Sequence, residues 1–322
     1  MKFFTALVFL LSLQATSFAQ RISKADQKIL AQKEDSLKKQ SYKIIEGINA
    51  ADRFKADSIF TRMFVRALAT KNSFYHPFDS LLTISRIYAP DSSFRIFTWQ
   101  MVINENIIRQ HGAIQLKTVD GSLKLFPLID KSDVTQNIAD TVGNNLGWMG
   151  AVYYRIILTK NQDHNYYTLL GFDENNIRSN KKVIEVLDFV DGKPMFGGRF
   201  FSIPSGGLVP KNPARYIMEY KKESSAKLNY DESMGIIVAE HLISETKEPQ
   251  KKWTYVTDGD FEGFKWVNGK WVFIDNVRNY TTRDPNLPLE KTIRDDKGDI
   301  DYNKLKSAEN EPDSIPKPKK KD

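Results

Sequence analysis

The sequence predicts a mainly β protein with helices near its N-terminal end, an α+β fold arranged as an antiparallel meander, sandwich or open barrel. From Phe94 onward, aromatic and β-branched residues alternate with polar ones over many short segments, which is typical of strands. Asx-Gly pairs that suit tight hairpin turns recur between these segments. Before Phe94, apolar residues recur at helical spacing instead.

The first 19 residues have the three parts of a secretory signal peptide. A basic start at Lys2 is followed by an apolar run and then by Ser17-Phe18-Ala19, with small residues at the two positions that signal peptidase reads. The apolar run is shorter than the roughly 20 residues that a membrane-spanning helix needs. We therefore predict cleavage before Gln20 and export to the periplasm or beyond the cell, with a buried N-terminal helix as the alternative. No later segment is predicted to cross a membrane.

The chain contains no cysteine. Disulfides, cysteine-ligated zinc, iron–sulfur clusters and thiol nucleophiles are therefore excluded. An exported protein without disulfides is held together by its core. A mature body of roughly 280 residues is large enough for that, since such a chain buries about three quarters of its surface.

The formal charge of +7 does not predict an acidic partner. Part of it leaves with Lys2, and the last six residues hold four lysines and one aspartate. Elsewhere Lys and Glu are mixed along the chain, whereas a nucleic-acid binder concentrates its basic residues on one face. We therefore expect no nucleic-acid partner.

Four regions follow from these patterns: a signal peptide (residues 1–19), a helical region (20–90), an antiparallel β-rich body (91–280) and an extended, largely disordered tail (281–322). Helical spacing is strongest over residues 57–68. Shorter helices are predicted over residues 77–88 and 132–142, where Pro77 and Ser132 suit helix starts.

The β-rich body contains three Asx-Gly pairs that predict hairpin turns, Asp120-Gly121, Asp191-Gly192 and Asn268-Gly269. Several strands are apolar on both faces, so the sheet that contains them has to be covered twice. The N-terminal helices can supply part of that cover. Strands are predicted over residues 94–102, 113–119, 122–128, 151–159, 166–172, 182–190, 215–220, 227–230, 236–242 and 253–257, and on both sides of the Asn268-Gly269 turn within residues 264–274.

Two stretches carry a family resemblance. One runs from Tyr88-Ala89-Pro90-Asp91 into Phe94-Arg95-Ile96-Phe97-Thr98-Trp99, and the other joins residues 167–176 to residues 181–187. Together they resemble an uncharacterised family of secreted, β-rich proteins of Bacteroidetes, over about residues 55–280. That family has no known activity, so the resemblance implies export and a bacterial origin and transfers no chemistry.

No catalytic motif is present. The four histidines, His76, His111, His164 and His241, lack the spacing that would put two imidazoles on one metal. A Gly-x-Ser-x-Gly elbow, a P-loop and a dinucleotide-binding glycine motif are also missing. We therefore predict no catalytic residue and no cofactor.

One acidic segment resembles the first half of a calcium-binding EF-hand loop. Asp258, Asp260 and Glu262 stand at positions 1, 3 and 5 of such a loop, but position 12, which should be Glu, is Gly269. A strand follows where a helix should. We predict a plain acidic hairpin turn here, with a calcium site as the weaker alternative.

The connection that begins at Asp173 is the strongest candidate for recognition. Residues 173–181 exceed the usual hairpin connection of about 2–5 residues, and long polar loops on rigid sheets commonly carry function. The candidate ligand contacts are Asp173, Asn175, Asn176, Arg178 and Lys181. Asx-turns, in which these side chains bond their own backbone, are the alternative.

The leading hypothesis for function is a binding or structural protein of the bacterial envelope, with a glycan or peptidoglycan ligand or an envelope protein as its partner. Exposed aromatics on a sheet can stack on sugars, although most of the five tryptophans are expected in the core. The alternative is a secreted, glycosidase-like hydrolase, which needs only two carboxylates. Its candidate acids are Asp173, Glu174, Asp258, Asp260 and Glu262.

Overall fold

The computed structural model describes residues 22–204 and 212–277. The predicted signal peptide and the predicted tail from residue 281 lie outside these ranges. Two helices precede three sheets whose strands pair antiparallel, apart from one short parallel pair. The predicted fold class, mainly β with N-terminal helices (α+β), is confirmed. Of the predicted arrangements, antiparallel meander, sandwich or open barrel, the structure has the sandwich, and its sheets do not close into a barrel.

The two helices are α1 (Lys24–Glu46) and α2 (Ala50–Leu68). Ser23 and Asn49 cap their N-termini, because each side-chain oxygen accepts a backbone N–H of the first turn at 3.0 Å. The break between the helices is held by Arg53, whose guanidinium donates to the carbonyls of Gly47 and Val102. Neither helix of the described ranges is apolar enough along its length to span a membrane.

The first sheet has the strand order β1-β2-β3-β4, and the helices pack on its outer face. Its strands are β1 (Ser85–Tyr88), β2 (Phe94–Asn104), β3 (Ile107–Leu116) and β4 (Lys124–Ile129).

The central sheet has the order β5-β9-β8-β7-β6, and β11 also pairs with β8. Its strands are β5 (Gly143–Asn144), β6 (Val152–Asn161), β7 (His164–Asp173), β8 (Ser179–Val190), β9 (Lys193–Phe196) and β11 (Arg215–Lys221).

The third sheet has the order β10-β15-β14-β13-β12. Its strands are β10 (Phe201–Ser202), β12 (Leu228–Asp231), β13 (Ile236–Ser244), β14 (Tyr255–Val267) and β15 (Lys270–Ile274).

The four layers stack in the order helices, first sheet, central sheet, third sheet. One apolar core joins the helices to β2, a second lies between the first and central sheets, and a third lies between the central and third sheets. The central sheet is thus covered twice, as predicted, but by the two other sheets. The helices cover the outer face of the first sheet instead.

Two of the predicted hairpin turns are confirmed. Asp191-Gly192 and Asn268-Gly269 both have positive φ at the two central residues, 51° and 72° in the first pair and 49° and 80° in the second, as a type I′ turn requires. Between β3 and β4 only Gly121 has positive φ. That connection is therefore a longer loop and not a two-residue turn.

Two predicted helices are wrong. Residues 77–88 contain turns and then strand β1, and residues 132–142 contain turns and a single 3₁₀ turn at Ile138–Asp140. Phe78 and Asn137 both have positive φ, 58° and 51°, a left-handed conformation that an α-helix cannot contain.

The segment after α2 is instead fixed to α1 through a buried carboxylate. Glu34 Oε2 lies 2.6 Å from His76 Nε2, and Oε1 accepts the backbone N–H and the hydroxyl of Ser80. Burial alone would raise the pKa of Glu34, but the bonds from Ser80 and His76 outweigh it and hold the pKa below its usual value. These hydrogen bonds to Glu34 anchor a loop that lacks regular structure.

Candidate functional site

The predicted recognition connection lies where the central sheet meets the end of the β2–β3 hairpin. Asp173 is the last residue of β7, and Lys181 already belongs to β8. The backbone N–H of Ile177 donates to the carbonyl of Glu105 in the hairpin turn at 2.7 Å. The connection is therefore fastened to the first sheet and does not stand free.

Several predicted ligand contacts bond within the connection. Asp173 Oδ1 accepts the N–H of Asn175, and Asn176 Oδ1 accepts the N–H groups of Arg178 and Ser179. These are the Asx-turns of the alternative reading. Lys181 Nζ donates to Asn175 Oδ1 at 2.7 Å, so this lysine also supports the turn.

Arg178 is the exposed member of the predicted set. Its guanidinium carbon lies 4.3 Å from the ring centroid of Trp253, a cation–π contact. Trp253 is half-buried, and its face on that side is taken by the arginine.

The polar groups around Asp173 form what we call the amide–carboxylate cluster, comprising Gln100, Gln110, Asp130, Asp173 and Glu174. Gln100 on β2 and Gln110 on β3 are direct cross-strand partners, so both amides project from the same face of the first sheet. Gln110 Nε2 donates to Asp173 Oδ1 at 3.0 Å, and Gln100 Nε2 donates to Glu174 Oε2 at 2.7 Å.

The carboxylates fix the orientation of both amides. A carboxylate only accepts hydrogen bonds, so each amide must turn its NH₂ toward the acid and its oxygen away. No described group donates to Gln100 Oε1 or Gln110 Oε1, although both atoms are buried. Because most buried polar atoms in proteins have partners, this pair of acceptors marks the cluster as a candidate site.

Asp130 joins the cluster from the residue after β4. Its Oδ2 accepts the backbone N–H of Gln110 and its Oδ1 accepts that of Ser132, both at 2.9 Å. A Cβ on Gly150, which has φ of +42°, would lie 2.7 Å from Asp130 Oδ1. Glycine is therefore needed for this close approach.

The electrostatics of the cluster disfavour a charge on Asp173. Burial of its carboxyl raises the pKa, and the neighbouring Asp130 adds to the rise, while Lys181 and the bonds from Asn175 and Gln110 act in the opposite direction. The net effect is a raised pKa. The ionised form is thus less favourable in the folded protein than in the unfolded chain.

This raised pKa predicts the effect of Asp173→Asn. The pKa of Asp173 is higher in the folded protein than in the unfolded chain. The free energy of unfolding therefore falls as the pH rises from the unfolded pKa of about 3.9 through the higher folded pKa. The asparagine keeps the accepting oxygen but cannot ionise. We expect a modest rise in melting temperature at pH 7 that disappears below about pH 4. Thermal unfolding across this pH range measures it, and a variant less stable than wild type at pH 7 would contradict it.

A second titratable pair lies on the opposite face of the same hairpin. His111 Nδ1 is 3.3 Å from Asp57 Oδ2, and Asp57 Oδ1 accepts Trp99 Nε1–H at 2.8 Å. Burial lowers the pKa of His111, despite the opposing effect of Asp57 and Asp130, so the ring is neutral at pH 7. His111 Nε2 is buried, and no described group donates to it.

Sequence reasoning missed Gln100, Gln110, Asp130 and the Asp57–His111 pair. Glutamines belong to no motif, and Asp57 lies far from His111 along the chain. The one available signal was the turn at Glu105 and Asn106 between Gln100 and Gln110, but their direct pairing also depends on the irregular register between Val102 and Asn104.

The acids compared with an EF-hand lie elsewhere, and the predicted hairpin turn there is wrong. Asp258, Asp260 and Glu262 are inside strand β14, next to the irregular pairing at Glu240/Leu242. His241 Nδ1 contacts Asp258 Oδ2 at 2.9 Å, and the Tyr216 hydroxyl donates to Glu262. Within residues 22–204 and 212–277, no three His, Asp or Glu side chains are close enough to hold a metal ion.

The tryptophans are mostly structural. Trp99, Trp148 and Trp271 are buried, and Trp266 is half-buried with its N–H donated to the carbonyl of Lys160. Trp253 lies under Arg178, so none of the five tryptophans presents a fully exposed indole for stacking on a sugar.

No protein-family model matches this chain, and no curated protein or solved structure matches it either. The resemblance to secreted proteins of Bacteroidetes therefore remains a prediction, and any function has to be argued from the chain's own residues.

Proposed function

We propose that this protein is an exported, envelope-associated binding protein, and that its ligand docks at the amide–carboxylate cluster. This proposal rests on one observation: the amide oxygens of Gln100 and Gln110 are buried, and no described group donates a hydrogen bond to them. A ligand that supplies donors there would satisfy atoms whose desolvation is otherwise unfavourable by roughly 1–3 kcal/mol each.

A ligand that fits this cluster has to carry hydrogen-bond donors. The groups of the cluster that are left without a partner are the two amide oxygens, which are acceptors. Gln100, Asp130 and Glu174 are partly exposed. Sugars carry many hydroxyl donors. A glycan or peptidoglycan fragment is thus the best match for a protein of the envelope.

Binding to isolated peptidoglycan and envelope polysaccharide tests this proposal. We expect Gln100→Met, which keeps the size of the side chain and removes its acceptor, to weaken binding about tenfold, the effect of losing one hydrogen bond in a desolvated site. Gln32→Met on the exposed face of α1 is the matched control and should bind like wild type. Equal binding by both variants, or no binding of wild type to any envelope polymer, would argue against the proposal.

A carboxylate-dependent hydrolase is the second candidate, and one observation favours it. Asp130 and Asp173 both accept hydrogen bonds from Gln110, and the pKa of Asp173 is raised by burial and by Asp130. A carboxyl whose charged form is disfavoured, beside a second carboxyl, resembles the pair that carboxylate-dependent hydrolysis uses. Release of reducing ends from envelope glycans by the wild-type protein would support this candidate over simple binding.

A further inference from the structure

One carboxylate of the amide–carboxylate cluster, that of Asp130, is not neutralised by a neighbouring lysine or arginine of the described residues. Lys222 Nζ donates to Glu174 Oε1 at 3.2 Å, which accounts for one carboxylate. Lys181 lowers the pKa of Asp173 through its charge, but its ammonium is bonded to Asn175. Asp130 is bonded by two backbone N–H groups, and no lysine or arginine of the described residues forms an ion pair with it.

The unpartnered acceptors lie beside this carboxylate. Gln110 is only 2% exposed, and its amide bonds Asp173 while its backbone bonds Asp130. Gln100 stands directly opposite on the neighbouring strand. Two amide oxygens and an unneutralised carboxylate are therefore gathered around one residue, Gln110.

A single neutral hydroxyl satisfies fewer of these acceptors than an ammonium group, because it offers one donor and no charge. A metal ion matches poorly, since among the described residues no three acids or histidines lie close enough together to hold one. A primary ammonium offers three donors and one positive charge. Its bonds to a carboxylate and to amide oxygens are charge-assisted, and such bonds are roughly twice as strong as neutral ones.

We propose that the amide–carboxylate cluster binds a primary ammonium group, and that its ligand is an unacetylated amino sugar. This inference rests on the proposed binding function and specifies its ligand. The ammonium donates to the oxygens of Gln100 and Gln110, and Asp130 balances its charge.

Calorimetric titration with three sugars tests the inference on the full chain. Glucosamine carries the ammonium, whereas glucose and N-acetylglucosamine are neutral at the same position. We expect glucosamine to bind at least tenfold more tightly than either neutral sugar at pH 7, because the charged contacts exist only with the amine. Asp130→Asn and Gln100→Met should each reduce this preference to about threefold or less, and Gln32→Met should retain it.

The outcomes separate this inference from the proposed function. Equal affinity for the three sugars would overturn the ammonium inference and leave a glycan-binding protein. Binding to peptidoglycan without binding to any of the three sugars would also overturn the inference alone. Failure to bind both the sugars and the envelope polymers would overturn the inference and the function together. Saturable calcium binding that is lost in Asp130→Asn would overturn the ammonium inference and would indicate a metal site instead. Circular dichroism verifies that each variant is folded. If Asp130→Asn is unfolded, the ammonium inference is decided by Gln100→Met, because Gln100 is partly exposed and its replacement disturbs the fold less.

Discussion

Arg215→Met is expected to lower the free energy of unfolding by about 3–5 kcal/mol, because it breaks a buried ion pair and leaves a carboxylate without its cation. Arg215 Nε donates to Glu185 Oε2 at 3.0 Å, and both side chains are 1% exposed. They face each other across the β8–β11 pair. Arg215 also donates to the carbonyl of Ile138, which ties the irregular segment after β4 to the central sheet.

Without Arg215, the remaining hydrogen bonds of the Glu185 carboxylate would compensate poorly for its lost hydration. Tyr153 donates its hydroxyl to Glu185 and in turn accepts Trp148 Nε1–H at 2.7 Å. Burial, with a further contribution from Glu185, raises the pKa of Tyr153 well above its usual value, so the phenol stays protonated and remains a donor. One neutral donor replaces much less of the lost hydration of Glu185 than a guanidinium does.

A double-mutant cycle distinguishes the pair from simple packing. Replacing both partners, as in Glu185→Leu with Arg215→Met, should destabilise by less than the sum of the single changes, because no charge is left buried. Arg199→Met is the matched control, since Arg199 pairs with Asp140 at the surface and such pairs contribute about 0–1 kcal/mol. Urea unfolding measures all four variants. A loss below about 1 kcal/mol for Arg215→Met would contradict the prediction.

Local signals in the sequence were sufficient for the hairpins. Asp191-Gly192 and Asn268-Gly269 specify their turns because positive φ at two adjacent residues is a property of those residues themselves. The strands on either side could then be located from alternation alone. Strands that are apolar on both faces predicted that their sheet is covered twice, but they did not distinguish a sandwich from a barrel.

The wrong helices show where local signals fail. Residues 77–88 have plausible helix ends, yet Ser80 bonds Glu34 from α1 and Phe78 takes a left-handed conformation. Ser132 has a favourable capping residue type, but its N–H is taken by Asp130. In the first segment a contact from α1 outweighs a helix preference of a few tenths of a kcal/mol, and in the second a local bond to the residue two positions earlier does so.

The site was only partly predictable for a similar reason. Asp173 could be found because it ends a strongly apolar strand. The prediction of a long connection after it was wrong, since strand pairing leaves only residues 174–178 between β7 and β8, a length within the usual range. Gln100, Gln110 and Asp130 join it only through strand register and through the stacking of two sheets. Neither the register nor the stacking can be read from the residue types, since an isolated glutamine is typical of any exposed surface.

Arg95 provides the second large effect, and Arg95→Met is expected to destabilise the protein by about 3–5 kcal/mol through the loss of several buried hydrogen bonds. The side chain lies at 1% exposure on β2. It donates to the carbonyls of Ser73 and His76, to the Tyr88 hydroxyl and to Gln115 Oε1, at 2.6–2.8 Å. Four acceptors would therefore be left in the core without their donor.

The charge of Arg95 is held without a carboxylate. Burial lowers the pKa of the guanidinium to about 10, so it remains protonated at pH 7. Carbonyl dipoles and aromatic faces stabilise it instead. The guanidinium carbon lies 4.6–5.7 Å from four ring centroids, those of Phe74, Phe78, Tyr88 and Phe97.

Arg95→Lys separates the charge of this residue from its geometry. Lysine keeps a positive charge but lacks the planar fork that reaches several acceptors at once, so we expect it to recover less than half of the stability lost in Arg95→Met. Arg155→Met is the control, because Arg155 forms a surface pair with Glu232. Urea unfolding gives the free energies, and amide hydrogen exchange should increase first in α1 and α2, because Arg95 fixes the segment that follows α2 to the first sheet. Wild-type stability in Arg95→Lys, or unchanged exchange in both helices of a destabilised Arg95→Met, would show that the guanidinium does not fasten the helical layer.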